Sequence, residues 1–196
     1  MNPELNAEYW NQRYLTNNFG WDIGAVSDPL KAYIDQLENK QQKILIPGAG
    51  NAYEAEYLIE KGFTQVYVCD FAETALQNLK TRCPQLSDAQ LLLSDFFELK
   101  ENNFDLVLEQ TFFCALNPSL RTAYFQKMHQ IIKPGAKLVG LLFDHPMNND
   151  QPPYGGDKEE YRRYFKGLFL EKTYAPSYNS IKPREGKELF IHLQRI

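Results

Sequence analysis

Apolar residues fall along this chain in short runs, separated by stretches with a helical period. The run Lys43-Ile44-Leu45-Ile46-Pro47 ends in the glycine turn Gly48-Ala49-Gly50. Beyond it Ala55, Leu58 and Ile59, spaced by three and four, share one face of a helix that Gly62 stops. The alternation repeats as a strand over 65–69, a helix over 72–82 before Pro84, and a strand over 89–93. A further strand over 104–108 is apolar enough for burial on both faces. A helix over 120–132 carries Tyr124, Met128 and Ile131/Ile132 on one side and closes at Lys133-Pro134-Gly135. A strand over 137–143, a helix over 158–165 and strands over 168–174 and 188–195 complete the pattern. The last alternates Leu189, Ile191 and Leu193 against Phe190, His192 and Gln194. Upstream of all this, aromatic residues stand among polar ones (Asn11-Gln12-Arg13, Thr16-Asn17-Asn18), followed by a helix over 29–38.

Strand and helix in alternation imply a doubly wound α/β sheet with right-handed crossovers. Two closing strands without a helix between them require an antiparallel partner. A chain of 196 residues fits one domain, 1–196, burying roughly 70% of the surface its unfolded form exposes.

Composition narrows the partners. A net charge of −4 repels phosphate backbones and disfavours nucleic acid. Cys69, Cys83 and Cys114 are odd in number and widely spaced, with no CxxC pair, so they read as reduced thiols of a cytoplasmic protein. The start, MNPELNAEYW, lacks the pattern of a signal peptide, and no run is long enough to cross a bilayer. His129, His145 and His192 are scattered, so no metal site is expected.

Candidate chemistry gathers after successive strands. The glycine turn lets a ligand approach the backbone, or is an ordinary strand-to-helix turn; Tyr53, where GxGxxG needs a third glycine, argues against a dinucleotide fingerprint. Asp70, about 20 residues on, is placed to accept both hydroxyls of a ribose, or to cap the next helix. Ser94-Asp95-Phe96-Phe97 offers a carboxylate for an adenine amino group and an apolar neighbour for the ring, with core packing as the alternative for at least one Phe. Glu109-Gln110-Thr111-Phe112-Phe113-Cys114 follows the strand beside the switch point, where ligands bind. Cys114 reads as a buried small residue rather than a nucleophile. Gln151-Pro152-Pro153-Tyr154 is similar to the (D/N)PPY signature of amine methylation on bases. It begins with Gln and follows the fifth strand, so it reads as a shaped loop near the site.

Over about residues 9 to 188 the chain resembles the thiopurine S-methyltransferase superfamily, and within it the plant-type halide/thiol methyltransferases and their bacterial relatives. The resemblance rests on Trp10, Tyr14 and Trp21-Asp22, then PGAGN, Asp70, FDLVLEQTFFCALNP, IKPGAKLVGLLF, QPPY and Arg184-Glu185-Gly186-Lys187-Glu188. It implies the class I S-adenosylmethionine-dependent methyltransferase fold, a Rossmann-like, seven-stranded, mostly parallel sheet with an antiparallel final strand. It implies S-adenosylmethionine as cofactor and a small-molecule methyl acceptor (a thiol, bisulfide, thiocyanate or halide), in a monomer or homodimer without nucleic acid or membrane. The implied cofactor residues are Trp10, Tyr14, Trp21, Gly48, Gly50, Asp70, Phe71, Asp95, Phe96 and Gln110, with residues 1–28 as an aromatic lid. Gln110, Tyr154 and Arg184 are the residues assigned to catalysis. Three departures stand out: Tyr14 replaces a Trp of the plant members, Ala52 replaces a third glycine, and Gln110 stands where those members carry Tyr and thiopurine enzymes carry Arg. The rival readings are a methyltransferase of RNA or protein, a nicotinamide-dependent oxidoreductase and a cofactor-binding module without catalysis.

Overall fold

Strands that are apolar on both faces must be covered on both, and the chain supplies a helical layer for each. In the computed structural model, which describes residues 5–196, the sheet has seven strands. They are β1 (Ile44–Pro47), β2 (Val66–Asp70), β3 (Leu91–Leu93), β4 (Phe104–Gln110), β5 (Ile132–Phe143), β6 (Phe169–Pro176) and β7 (Glu188–Arg195). Their order is β3-β2-β1-β4-β5-β7-β6. The first five run parallel, and β7 lies antiparallel between β5 and β6. This is the class I methyltransferase arrangement, with the antiparallel ending expected from two strands that lack an intervening helix.

One face of the sheet packs on α2 (Asp28–Ile34), α3 (Tyr53–Glu60) and α4 (Glu73–Arg82), through Leu30, Ile34, Leu58 and Leu79 against Ile46, Leu106 and Leu108. The other packs on α5 (Arg121–Ile131) and α6 (Lys158–Phe165), where Tyr124, Phe125, Met128 and Phe165 meet Leu45, Val107 and Leu138. The chain order reverses between β1 and β4, which opens a crevice at their carboxyl ends.

Three elements differ from the sequence reading. The aromatic opening contains a helix, α1 (Ala7–Leu15). The Asn6 side chain caps it by accepting from the Tyr9 N–H, and Asn17, at φ 52, ends it. The first four residues of the expected 1–28 segment lie outside the described residues. The helix expected over 29–38 stops at Ile34, where Gln36 and Leu37 bond three residues back and tighten the chain. β5 begins at Ile132, directly after α5. Gly135, at φ 77, lets Lys133-Pro134-Gly135 bend within the strand, beside a register shift between Phe104 and Leu106, rather than close a turn. Among the described residues no helix is long and apolar enough to cross a membrane.

Candidate active site

A cavity of about 410 Å³ fills the crevice. Its floor is the set of strand tips: Gly48 after β1, Cys69 and Asp70 ending β2, Ser94 and Asp95 after β3, and Thr111 and Phe112 after β4. Trp10, Arg13, Tyr14 and Trp21 cover it, and Leu116, Leu120, Pro152 and Pro153 form the far wall.

Asp70 is 7% exposed. Its Oδ2 accepts from the Gly50 N–H at 2.9 Å and its Oδ1 from the Ala72 N–H at 2.8 Å. Burial pushes its carboxyl above the usual range, and these backbone donors pull it back. The N-cap of α4 is Ala72, so Asp70 does not cap that helix. A carboxylate accepts up to about four hydrogen bonds. Each Asp70 oxygen takes one backbone donor, and the capacity that remains suits the two hydroxyls of a ribose. Asp95 accepts from the Phe97 N–H at 2.8 Å and is exposed, while Phe96 is buried. Phe96 packs edge-to-face on Phe97 and Phe112, with centroids 5.4 and 5.3 Å apart. Phe96 is therefore a wall of the core as well as of the cavity, and half-buried Phe97 adds a second ring.

The cover is a nest of aromatic rings. Tyr14 stacks on Phe19 at 5.6 Å, and Trp21 meets Trp10 edge-on at 5.4 Å. Tyr14 also packs on Ala72 and Ala75. Its hydroxyl stands 2.5 Å from where a Cβ on Gly50 would lie, so a side chain there would displace it. Burial, with Asp70 nearby, holds that hydroxyl far above the usual tyrosine range. Polar ties fasten the segment to the body. The Thr74 N–H donates to Asn11 Oδ1 at 2.8 Å, Asn51 Nδ2 donates to Asp22, and Arg184 Nη2 donates to the Trp21 carbonyl at 2.7 Å.

The structure brings Trp10, Tyr14, Trp21, Gly48, Asp70, Phe71, Asp95 and Phe96 together around the cavity. Gly50, Gln110, Tyr154 and Arg184 do not line it. Gly50 acts through its N–H on Asp70. Gln110 has the parity of Leu106 and Leu108, which pack toward α2 and α3, whereas the cavity wall of Cys69, Phe96 and Phe112 packs toward α5. Tyr154 is 3% exposed and lines a neighbouring hollow with Asp144 and His145, its N–H donating to the Cys114 carbonyl at 2.7 Å. Arg184 holds the Trp21 carbonyl and lies 3.3 Å from Glu188, with its guanidinium 5.6 Å from the Phe143 ring centroid.

The sequence gives no role of their own to three residues that the structure singles out. Phe112 fills the place of a Gly48 Cβ, which would fall 2.0 Å from its ring. That close approach, with φ 54, is what demands glycine at 48. Glu109, fully buried, accepts at Oε1 from the Phe112 and Phe113 N–H groups, both at 2.9 Å, and at Oε2 from the Tyr124 hydroxyl at 2.9 Å. It thereby fixes the turn that carries Thr111, held at φ 59, and Phe112. Arg13 lines the cavity on the face of α1 that also carries Tyr9. Cys114 is 7% exposed, its thiol donates to the Thr111 carbonyl at 3.2 Å, and burial pushes it up to about 12. It is a protonated wall residue. Among the described residues no group of His, Cys, Asp or Glu is placed to hold a metal ion.

Residues 5–188 match the family described as Thiopurine S-methyltransferase. The chain is 26% identical over 184 residues to a probable thiol methyltransferase 2 of Arabidopsis thaliana, covering 91% of this chain and 81% of that one. It is 25% identical over 204 residues to a thiopurine S-methyltransferase of Vibrio cholerae, covering 96% and 93%. Among solved structures, a Burkholderia thailandensis 1,6-didemethyltoxoflavin-N1-methyltransferase with bound S-adenosylhomocysteine superposes with a TM-score of 0.79 at 15% identity, covering 97% and 87%.

Proposed function

The chain belongs to the thiopurine S-methyltransferase family and is an S-adenosylmethionine-dependent methyltransferase acting on a small molecule; from that premise we propose that its acceptor is a small soft anion or thiol. The observation that carries this is the chemistry of the far wall and of the floor beside it. Thr111, Cys114, Leu116, Leu120, Pro152 and Pro153 present no group that takes up a proton near neutrality, since the Cys114 thiol is held up at about 12. An anion such as iodide, bisulfide or thiocyanate needs no base to attack. It needs to be stripped of water beside an aligned methyl group.

We assign cofactor contact to the residues that meet around the cavity. Asp70 holds the ribose, Asp95 with Phe96 and Phe97 holds the adenine, and Phe71 closes that side. Gly48 leaves the backbone bare toward the amino-acid half, and Gly50 fixes Asp70. When bound, the cofactor would supply a sulfonium methyl for in-line displacement by the acceptor's lone pair, the carbon–sulfur bond breaking as the new bond forms. The protein's part is orientation and desolvation. The faces of Trp10, Tyr14 and Trp21 exclude water, and each aromatic face near a cation contributes about 0.5–2 kcal/mol. Gln110, Tyr154 and Arg184 act from behind the wall, Arg184 by fastening Trp21.

A methylation screen with iodide, bisulfide, thiocyanate and an aryl thiol tests the acceptor class. Turnover of one or more of these, rising with pH only where the acceptor itself ionises, is the expected outcome. Turnover confined to amines or alcohols, which need a base, overturns it.

A further inference from the structure

Among the described residues three charged side chains line the cavity: Asp70, Asp95 and Arg13. The two acids have work in the cofactor assignment above, and Arg13 has none. Its position is set by α1. Its guanidinium carbon lies 5.1 Å from the Trp21 ring centroid and 5.9 Å from that of Tyr9. Packed between two rings, the planar group is held in place and partly dried. Its Nε is buried and meets no acceptor among the described residues. A buried charged donor left without a partner is unfavourable unless something completes it.

The neighbouring acids are engaged elsewhere. Asp22 accepts from the Asn51 amide and, at 2.6 Å, from the Gly24 N–H; Asp70 takes the Gly50 and Ala72 N–H groups. The charge of Arg13 is felt at the Tyr14 hydroxyl, which stands over Gly50. Through Trp21, whose ring lies 6.1 Å from that of Tyr14, Arg13 is tied to the glycine-turn end of the cavity.

We propose that Arg13 binds the α-carboxylate of the cofactor's amino-acid half. The inference rests on the reading of this cavity as the S-adenosylmethionine site. Two arguments favour a carboxylate over the acceptor anion. A guanidinium offers parallel donors that match the two oxygens of a carboxylate, whereas a spherical halide uses only one. Among the described residues the cavity also holds two acids, so a ligand carboxylate is repelled there unless a cation meets it, and Arg13 is the cation that lines the cavity.

The test uses two ligands that differ only in that group, S-adenosylmethionine and decarboxylated S-adenosylmethionine. Both keep the sulfonium, the amine and the nucleoside. Affinities are measured by calorimetry for the intact chain, Arg13→Gln and Arg13→Lys, with melting temperatures as a check on folding. The intact chain should prefer the carboxylated ligand by roughly 10- to 100-fold, as expected for a hydrogen-bonded charge pair. Arg13→Gln should erase that preference while binding the decarboxylated ligand within about two-fold of the intact chain, and Arg13→Lys, which keeps the charge but not the fork, should retain part of it. A preference that survives in Arg13→Gln overturns the proposal. So does an equal loss for both ligands, which would make Arg13 a support for the aromatic cover, and so does an unchanged preference with a raised KM for thiocyanate, which would place the acceptor there. If the intact chain binds neither ligand, it is the cofactor site itself that fails.

Discussion

Asp70 and Glu109 stand at the carboxyl ends of β2 and β4, almost wholly shut from water, and they are committed in opposite ways. Asp70 takes one backbone donor on each oxygen and faces a cavity. Glu109 takes three donors, two from the turn it precedes and one from Tyr124, and faces the aromatic core around α5. Gly140 on the adjacent strand is shaped to it, since a Cβ there would fall 2.3 Å from the Glu109 Cβ. Position on a strand tip therefore does not distinguish an acid with acceptor capacity open to a cavity from a scaffold acid. The direction of the side chain and the acceptor capacity left after the backbone has been served do.

The largest expected effect breaks the scaffold side. Glu109→Leu leaves the Phe112 and Phe113 N–H groups and the Tyr124 hydroxyl without an acceptor, each worth about 1–3 kcal/mol. The melting temperature should drop by about 10 °C or more. A drop as small as that of an exposed substitution would mean the turn holds itself.

The next uses pH. Burial pushes the Glu109 carboxyl from its ordinary 4.5 up to about 7. The folded state therefore binds this proton more tightly than the unfolded chain. The stability it contributes is full below about pH 4.5 and is lost as pH rises through about 7. The total is of order 3 kcal/mol at most. Glu109→Gln, which can still accept from both N–H groups, should gain stability relative to the native protein between about pH 5 and pH 8 in urea unfolding. A difference that stays flat with pH would show that Glu109 ionises at its ordinary value.

On the cavity side, Asp70→Ala should weaken S-adenosylhomocysteine binding roughly 10- to 100-fold while lowering the melting temperature less than Glu109→Leu does. The reverse ranking would make both acids scaffold.

The smallest effect concerns the contact that joins the two tips, Phe112 over Gly48. Gly48→Ala should push the Phe112 ring aside and loosen cofactor binding. Phe112→Ala should then add little in the Gly48→Ala background, a coupling of about 0.5–3 kcal/mol in a double-mutant cycle. Strict additivity would show that the ring is free to move.

The legible and illegible parts of the sequence divide along a physical line. The sheet was legible because runs such as Ile44–Pro47 and the helical spacing of Ala55, Leu58 and Ile59 are repeated in chain order, and order dictates the crossovers. α1 was not read as a helix because its polar residues and rings make a weak apolar stripe; the signals present were Asn6 as a cap and Trp10 with Tyr14 four apart. Asp70 and Asp95 could be found from their places after strands. Gln110 could be placed at a tip but not on a face, since Leu106–Leu108 is an unbroken apolar run that hides the alternation. Arg184 could be tied to no element, because its partner is the backbone of Trp21, and a carbonyl leaves no mark on composition.

That same bond between Arg184 and the Trp21 carbonyl spans 163 residues of sequence. A contact of such separation carries a large loop-closure entropy and belongs late on any folding route. On the ribosome, the aromatic segment emerges 163 residues ahead of its fastener and waits for it. The strand tips that form the floor of the cavity emerge before the cover can be locked, so assembly of this site runs from floor to roof.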